Sequence, residues 1–403
     1  MIKTLPKSQL IIGWRDVFGN PYDSDRLELI RHGCKRVILG ELAGLNYRLK
    51  SNRTNYYDTS LATQRKELGY FAGSNPKVFQ AYGNLVGRYL ADEKDYGLLF
   101  TRAACLFAIE EIMQSDMVIR EEFTMRDFWP DLFKYLLAVN QEITRLTESP
   151  DDEMDSESCE VEVKEAAGSM EDLNPKLIAL NEVAVNTNSL YTGLRGYHLL
   201  AYLSAHPQLG SYLKQYLSDN YKFEYDQFVF ELTRLYFANN KNGENDIVNE
   251  FTQEKLDTSF YYVIKDKSIL TFFQRLSGIY PSSQIERLIS VKKYPMYAAG
   301  NQTFLLFDNI LALEKCYYQL INDFWFDVVS KVKDDQNKPA FTIKNYRSAI
   351  GYFLEKYTDK IFRYCFSVGK FYDIKLFGEL VLQHKGKEIE LADVYVRYNK
   401  KIF

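Results

Sequence analysis

Apolar residues recur at three- and four-residue spacing over most of the first 335 positions. That is the period of one helix face, and it predicts a predominantly α-helical chain up to that point. Leu27, Ile30, Cys34, Val37, Ile38 and Leu42 form one such stripe, with Ser24 or Asp25 placed to cap its helix. Asn75-Pro76 reads as a cap followed by proline in the first turn, opening a helix over 77–93. Strongly helical patterns follow over 97–114 and 125–146, the second with Pro130 near its first turns. The same spacing runs through 176–205, 208–220, 225–239 and 246–276, and residues 302–332 form a long apolar helical region. No repeat of fixed period appears.

Two stretches depart from this pattern. Residues 148–172 hold eleven acids and a single base, Lys164, with few apolar positions. Like-charge repulsion predicts a solvated linker or long loop there; an acidic docking segment is the functional alternative. After residue 366 the helical period gives way to short β-rich runs. LFGELVLQ (376–383) and EIELADVYV (388–396) predict two strands joined by a turn at HKGK, which contains Gly386. A second polar turn, 397–401, leads to Ile402-Phe403, which reads as a third strand just begun. A chain continuing past Phe403 is therefore expected, since two apolar residues cannot complete a sheet edge.

These features divide the sequence into a helical domain over 1–147, an acidic linker or loop over 148–172, a second helical domain over 173–335, and a helix plus β-hairpin over 336–403. The fold class expected is mainly α, a multi-helix region followed by a short β-hairpin.

Composition narrows the function classes. Fifty basic and 54 acidic residues give a net charge of −4, so the whole chain is not a basic nucleic-acid binder, although a local basic groove is compatible with it. The chain holds 31 Tyr and 27 Phe against 10 Pro. Aromatics at that density serve either base stacking or thick helical packing with hydroxyls at the rim. No apolar run approaches a membrane span and no signal-peptide plan opens the sequence, so no membrane association is expected. Five scattered cysteines without a C-x-x-C pair suit reduced thiols in a cytoplasmic protein.

Complete catalytic motifs are absent. No phosphate loop, H-E-x-x-H, G-x-S-x-G or kinase set occurs, and His32, His198, His206 and His384 are scattered.

One resemblance remains. The helix YRSAIGYFLEKYTDKIFRYCF is followed by a strand, a Gly-containing turn, a strand bearing Asp393 and a second tight turn. This order resembles the opening of the PD-(D/E)XK nuclease superfamily over about residues 346–403. The resemblance implies that Glu355 corresponds to the helix glutamate and Asp393 to the metal-binding strand aspartate. It implies Mg²⁺ as cofactor of the complete enzyme, held by hard carboxylate oxygens to polarise the phosphate and activate water. Ala392 stands where the name-giving proline would be, and no E-x-K or D-x-K follows Asp393 in these residues. Glu379 and Glu390 are neighbours by position only. On a helical wheel, Glu355 falls away from the stripe Ile350, Phe353, Leu354, Tyr357, Ile361 and Tyr364.

The expected function is thus the helical recognition or assembly region of a nuclease-like protein, inactive without its E-x-K segment. The alternative is a non-enzymatic helical interaction or scaffold protein. Nucleic acid and other proteins are the partner classes these readings name.

Overall fold

The computed structural model describes residues 10–50, 57–74, 86–92, 96–117, 125–147, 189–237, 261–281 and 288–367, together with strands between 239 and 256 and between 374 and 402. The acidic stretch 148–172, the Asn75-Pro76 cap, Glu379 and Asp393 lie outside the described residues. The chain is mainly α-helical. In chain order the helices are α1 (Trp14–Phe18), α2 (Lys35–Arg48), α3 (Leu61–Ser74), α4 (Arg102–Gln114), α5 (Met125–Thr147), α6 (Ser189–Ala205), α7 (Gly210–Tyr221), α8 (Tyr225–Phe237), α9 (Lys267–Leu276), α10 (Ile289–Lys293), α11 (Asn309–Glu314), α12 (Leu320–Asp327) and α13 (Ile343–Ser367). The chain divides into two compact units, each built from separate stretches of sequence. The first comprises Met1–Leu190 and Glu231–Lys315, the second Tyr191–Phe230 and Cys316–Phe403.

In the first unit α4 is the centre of the core. Every residue from Arg102 to Ile112 is buried, which matches its apolar character on all sides. Thr101 caps it, its hydroxyl accepting from the Ala104 N–H at 3.1 Å. α2 and α5 pack against α4, and Asn140 of α5 ties two loops together by donating to the carbonyls of Ile12 and Leu99, both at 2.9 Å. Pro130 sits inside α5 near its start, as the pattern indicated.

The single helix expected from Leu27 to Leu42 is instead two elements. Asp25 caps a short 3₁₀ turn, Arg26–Leu29, and α2 begins only at Lys35. Gly33 explains the break. Glycine costs about 1 kcal/mol in a helix, and a Cβ here would lie 2.6 Å from both Ile38 Cδ1 and Phe128 Cζ.

A second correction concerns strands before residue 335. The segment 246–276, expected to be helical, is helical only from Lys267. Strands β1 (Asn239–Asn242), β2 (Asp246–Asn249) and β3 (Glu254–Leu256) form one antiparallel sheet. β4 (Tyr261–Val263), β5 (Met296–Gly300) and β6 (Thr303–Leu306) form another, in the order β4-β6-β5. The turn between β5 and β6 holds three successive left-handed residues, Gly300, Asn301 and Gln302, at φ 90°, 50° and 59°. Gly and Asn accept that conformation, so the turn chemistry overrides the helical look of the apolar run after it. A short buried apolar run fits strand and helix equally on periodicity alone.

In the second unit aromatic rings make the contacts. Tyr216 lies 5.7 Å from Phe324, Tyr221 4.6 Å from Phe228, and Trp325 5.2 Å from Tyr346, centroid to centroid. α6 approaches Cys316 so closely that a Cβ on Gly196 would meet its Sγ at 2.5 Å and its carbonyl oxygen at 2.9 Å. α13 is the longest described helix. Its apolar stripe is buried only toward the N-terminal half: Phe353 is buried, whereas Ile361 and Tyr364 are 40% and 76% exposed.

Beyond α13 come β7 (Ile374–Phe377), β8 (Leu380–His384), β9 (Lys387–Ala392), β10 (Tyr395–Tyr398) and β11 (Lys401–Ile402). β8 pairs antiparallel with β9 across the expected turn, β7 pairs with β10, and β11 adds to β10 as a third strand. Each arm of the expected hairpin is therefore divided into two strands.

Candidate functional site

The residues named from the sequence fall as follows. Glu355 is exposed on α13. Asp393 lies outside the described residues, between β9 and β10, so its relation to Glu355 is not part of the description. Glu390 is in β9, paired in register with Val381. Among the described residues no group of His, Cys, Asp and Glu is arranged to hold a metal ion.

Two other constellations are built from described side chains. The first is buried in unit one around Asp308, which sequence inspection passed over. Asp308 caps α11, accepting from the Ile310 and Leu311 N–H groups at 2.8 and 3.0 Å. Its carboxylate also takes a forked pair of bonds from Arg102, Nε at 3.0 Å and Nη2 at 3.2 Å. The Tyr57 hydroxyl donates to it at 2.6 Å and Asn46 Nδ2 at 2.9 Å. Lys50 donates to the neighbouring Asn309 side chain, whose amide in turn donates to the Tyr236 carbonyl at 2.6 Å. Burial alone would raise the Asp308 pKa, but Arg102 and Lys50 beside it hold the carboxyl well below the usual range. Burial also lifts the Tyr57 hydroxyl well above its ordinary value, and Asp308 adds to that. Asp308 is 0% exposed, and its network has the character of an internal clamp between α2, α4 and α11. The legible signal was the Asp308 cap ahead of an apolar helical run.

The second constellation is open to solvent. Unit two carries a groove of 640 Å³ between the C-terminal end of α6 and the N-terminal part of α13. Tyr346 and Leu209 are buried at its base; Tyr202, Phe341 and Tyr352 give it aromatic sides; Lys344 and Gln208 stand exposed at its edge. His206 is fixed in orientation because its Nδ1 accepts from the Gln208 and Leu209 N–H groups, both at 3.3 Å. The proton of the neutral ring is thereby placed on Nε2.

The aromatic lining continues along the helices. Tyr202 stands 6.4 Å from Tyr352 and 5.6 Å from Phe353, and Phe353 stacks on Tyr357 at 5.5 Å. His198 lies 5.5 Å from Tyr357, and burial together with Lys360 pushes its imidazole below the ordinary value. Lys356 holds its ammonium 5.3 Å from the Tyr352 ring centroid.

No protein-family model, curated protein or solved structure matches this chain. Chemistry must therefore be read from the residues themselves. No described helix is long and apolar enough to cross a membrane.

The groove combines aromatic faces, a fixed imidazole and the exposed Lys344 ammonium at its edge. Such a set suits a planar, hydrogen-bonding ligand with attached negative charge. Sequence reasoning missed it because it read α13 through its apolar stripe. The usable signal was the other spacing on the same helix: Lys344, Ser348, Tyr352, Lys356, Lys360 and Tyr364 follow one another at intervals of four.

Proposed function

We propose that this chain is the helical recognition region of a metal-dependent nuclease of PD-(D/E)XK type, joined to the opening elements of its core. The observation that carries the reading is the order of elements after residue 343. A long helix, α13, leads to antiparallel strands that turn back on one another, and a third strand then adds beside the second in the order β11-β10-β7. In this reading Asp393 supplies a carboxylate oxygen to Mg²⁺ and Glu355 contributes from the helix. When bound, Mg²⁺ would polarise the scissile phosphate and activate water, with Asp393 as its carboxylate ligand. A lysine from an E-x-K segment would support the attacking water, and none follows Asp393 in these 403 residues.

The 403-residue chain is expected to be inactive on DNA and RNA with Mg²⁺ or Mn²⁺. The test adds any in-frame coding sequence found after Phe403 and assays the longer protein beside this one. Cleavage by the longer protein, lost in Asp393→Ala with folding intact, supports the reading. Full cleavage by Asp393→Ala, or a stop codon directly after Phe403, overturns it in favour of a non-enzymatic interaction protein.

A further inference from the structure

We propose that the groove between α6 and α13 is a binding site for single-stranded nucleic acid, with an unpaired base stacked on Tyr352 and the backbone running along the α13 ridge. This deepens the nuclease reading by naming the form of the substrate.

Lys344, Ser348, Tyr352, Lys356 and Lys360 are all exposed, and Tyr364 is 76% exposed. Residues four apart form one row on a helix surface, so these six make a ridge that rises about 30 Å along the axis at 1.5 Å per residue while winding roughly 200° around it. The row reads Lys, Ser, Tyr, Lys, Lys, Tyr and contains no acid. That length spans several nucleotides of an extended strand, within the roughly 4–16 that one such platform accommodates.

The groove opens at one end of this line. Tyr352 is 50% exposed while its neighbour Tyr202 supports it from α6. A half-exposed ring beside a second ring offers a stacking platform, with the Lys356 ammonium close to it. The exposed Gln208 amide and the fixed His206 ring supply hydrogen-bonding groups for a base edge.

Charge favours the same occupant. Across unit two basic residues outnumber acidic ones by four, although the whole chain carries −4. α13 holds Lys344, Arg347, Lys356, Lys360 and Arg363 against Glu355 and Asp359. Asp359 is engaged by Arg363, whose Nε donates to it at 2.7 Å, so Glu355 is the acid whose charge most directly opposes a bound phosphate. A duplex hides its base faces and would meet only the cations, whereas a single strand can use cations and rings together.

The experiment uses the full 403-residue chain and fluorescently labelled oligothymidylate and oligouridylate of about 12 nucleotides, with a duplex of equal length and phosphatidylserine vesicles as competitors. Expected is anisotropy-detected binding to a single strand that weakens with salt, and weaker binding to duplex. Comparison of the two oligonucleotides tells DNA from RNA. Tyr352→Ala should lower affinity about tenfold, and Tyr352→Phe should restore it, because the ring and not the hydroxyl carries the stacking. Lys356→Gln should reduce the salt dependence by about 0.7 in logarithmic slope, one phosphate contact on a single strand. Melting temperatures measured alongside separate lost binding from lost folding. The proposal is overturned by absence of binding, by equal affinity for duplex, by displacement with the anionic vesicles, or by a folded Tyr352→Ala chain that binds like the parent. Cleavage is not read, so the nuclease assignment can fail while this site stands, and the reverse.

Discussion

The two units solve the problem of polar groups in opposite ways. Unit one takes charge inside: Arg102 and Asp308 are almost fully buried, Glu67 bonds to Arg48 at 2.8 Å while 1% exposed, and Glu111 receives both Arg26 and the Tyr135 hydroxyl. Unit two buries one charged side chain among its described residues, Asp323, and packs with rings; it holds sixteen of the 31 tyrosines in under a third of the chain. It also exposes rings: Tyr191, Phe230, Phe326, Tyr352 and Tyr364 are each at least half exposed. Buried ionic networks fix one arrangement of helices and are intolerant of the loss of a partner. Exposed rings stabilise a fold little and are suited to meeting something else. The difference leaves unit one with helices held by internal charge and unit two with rings open to solvent.

The strongest way to break that comparison is Arg102→Ala. Removing the guanidinium leaves Asp308 buried with its charge opposed only by Lys50 and by dipoles. Loss of one partner of a buried pair costs about 3–5 kcal/mol. Urea unfolding should show the transition at markedly lower denaturant, with oligonucleotide affinity of the remaining folded chain unchanged. A loss below about 1 kcal/mol, the range of a surface pair, would mean that the Asp308 network does not clamp the unit.

Next in size is Gly196→Ala in unit two. The added methyl meets the backbone carbonyl of Cys316 at 2.9 Å, an atom that cannot swing aside as a side-chain end can. Overpacking of this kind costs about 1–3 kcal/mol. The check is the same unfolding curve; an unchanged midpoint would show that α6 can shift, and that the groove it borders is softer than its fixed rings suggest.

The helical fold was legible because amphipathic spacing survives in nearly every long helix: α5, α7, α8 and α13 lie where the pattern puts them. What was not legible were elements decided by other physics. Gly33 stops a stripe because Phe128, 95 residues away in sequence, occupies its space. The β5–β6 hairpin follows from left-handed turn residues within an apolar run that reads equally as helix. The Asp308 network joins residues more than two hundred positions apart, and no local window contains Arg102 and Asp308 together. The groove shares this property, since Tyr202 and Tyr352 meet only after α6 and α13 pack.

A pH titration sharpens the contrast, because two carboxylates of unit one pull in opposite directions. Asp308 has a depressed folded pKa, so its contribution is complete above the unfolded value near 3.9 and is lost as pH falls from there. Glu110 is raised, chiefly by burial, although it accepts from the Ser290 and Val291 N–H groups and from Gln114. Its folded form takes up a proton first, so its contribution falls as pH rises through the interval above its ordinary value. Below pH about 4, wild-type stability should fall with a term of about 1.4 kcal/mol per pH unit from Asp308 alone. Asp308→Asn should flatten that limb by about one proton. An unchanged acid slope would contradict a charged, ion-paired Asp308.

The smallest expected effect is at Glu355, and it separates the two readings of unit two. Glu355 is exposed on α13, one residue from Lys356 and three from Tyr352. Replacing an exposed residue of this kind changes stability by no more than about 0.5 kcal/mol, so Glu355→Gln should leave the unfolding midpoint in place. Its charge opposes phosphates on the neighbouring ridge, and its removal should tighten single-strand binding about twofold at low salt, with the gain shrinking as salt screens it. If instead Glu355 helps to hold Mg²⁺ in a longer, active protein, the same substitution there should reduce cleavage far more than it alters binding. Tighter binding with unchanged cleavage would place Glu355 on the recognition surface and leave the metal to Asp393; lost cleavage with unchanged binding would make it part of the metal site. A fall in stability of several kcal/mol would contradict both, because it would require Glu355 to be a buried or clamped group like those of unit one.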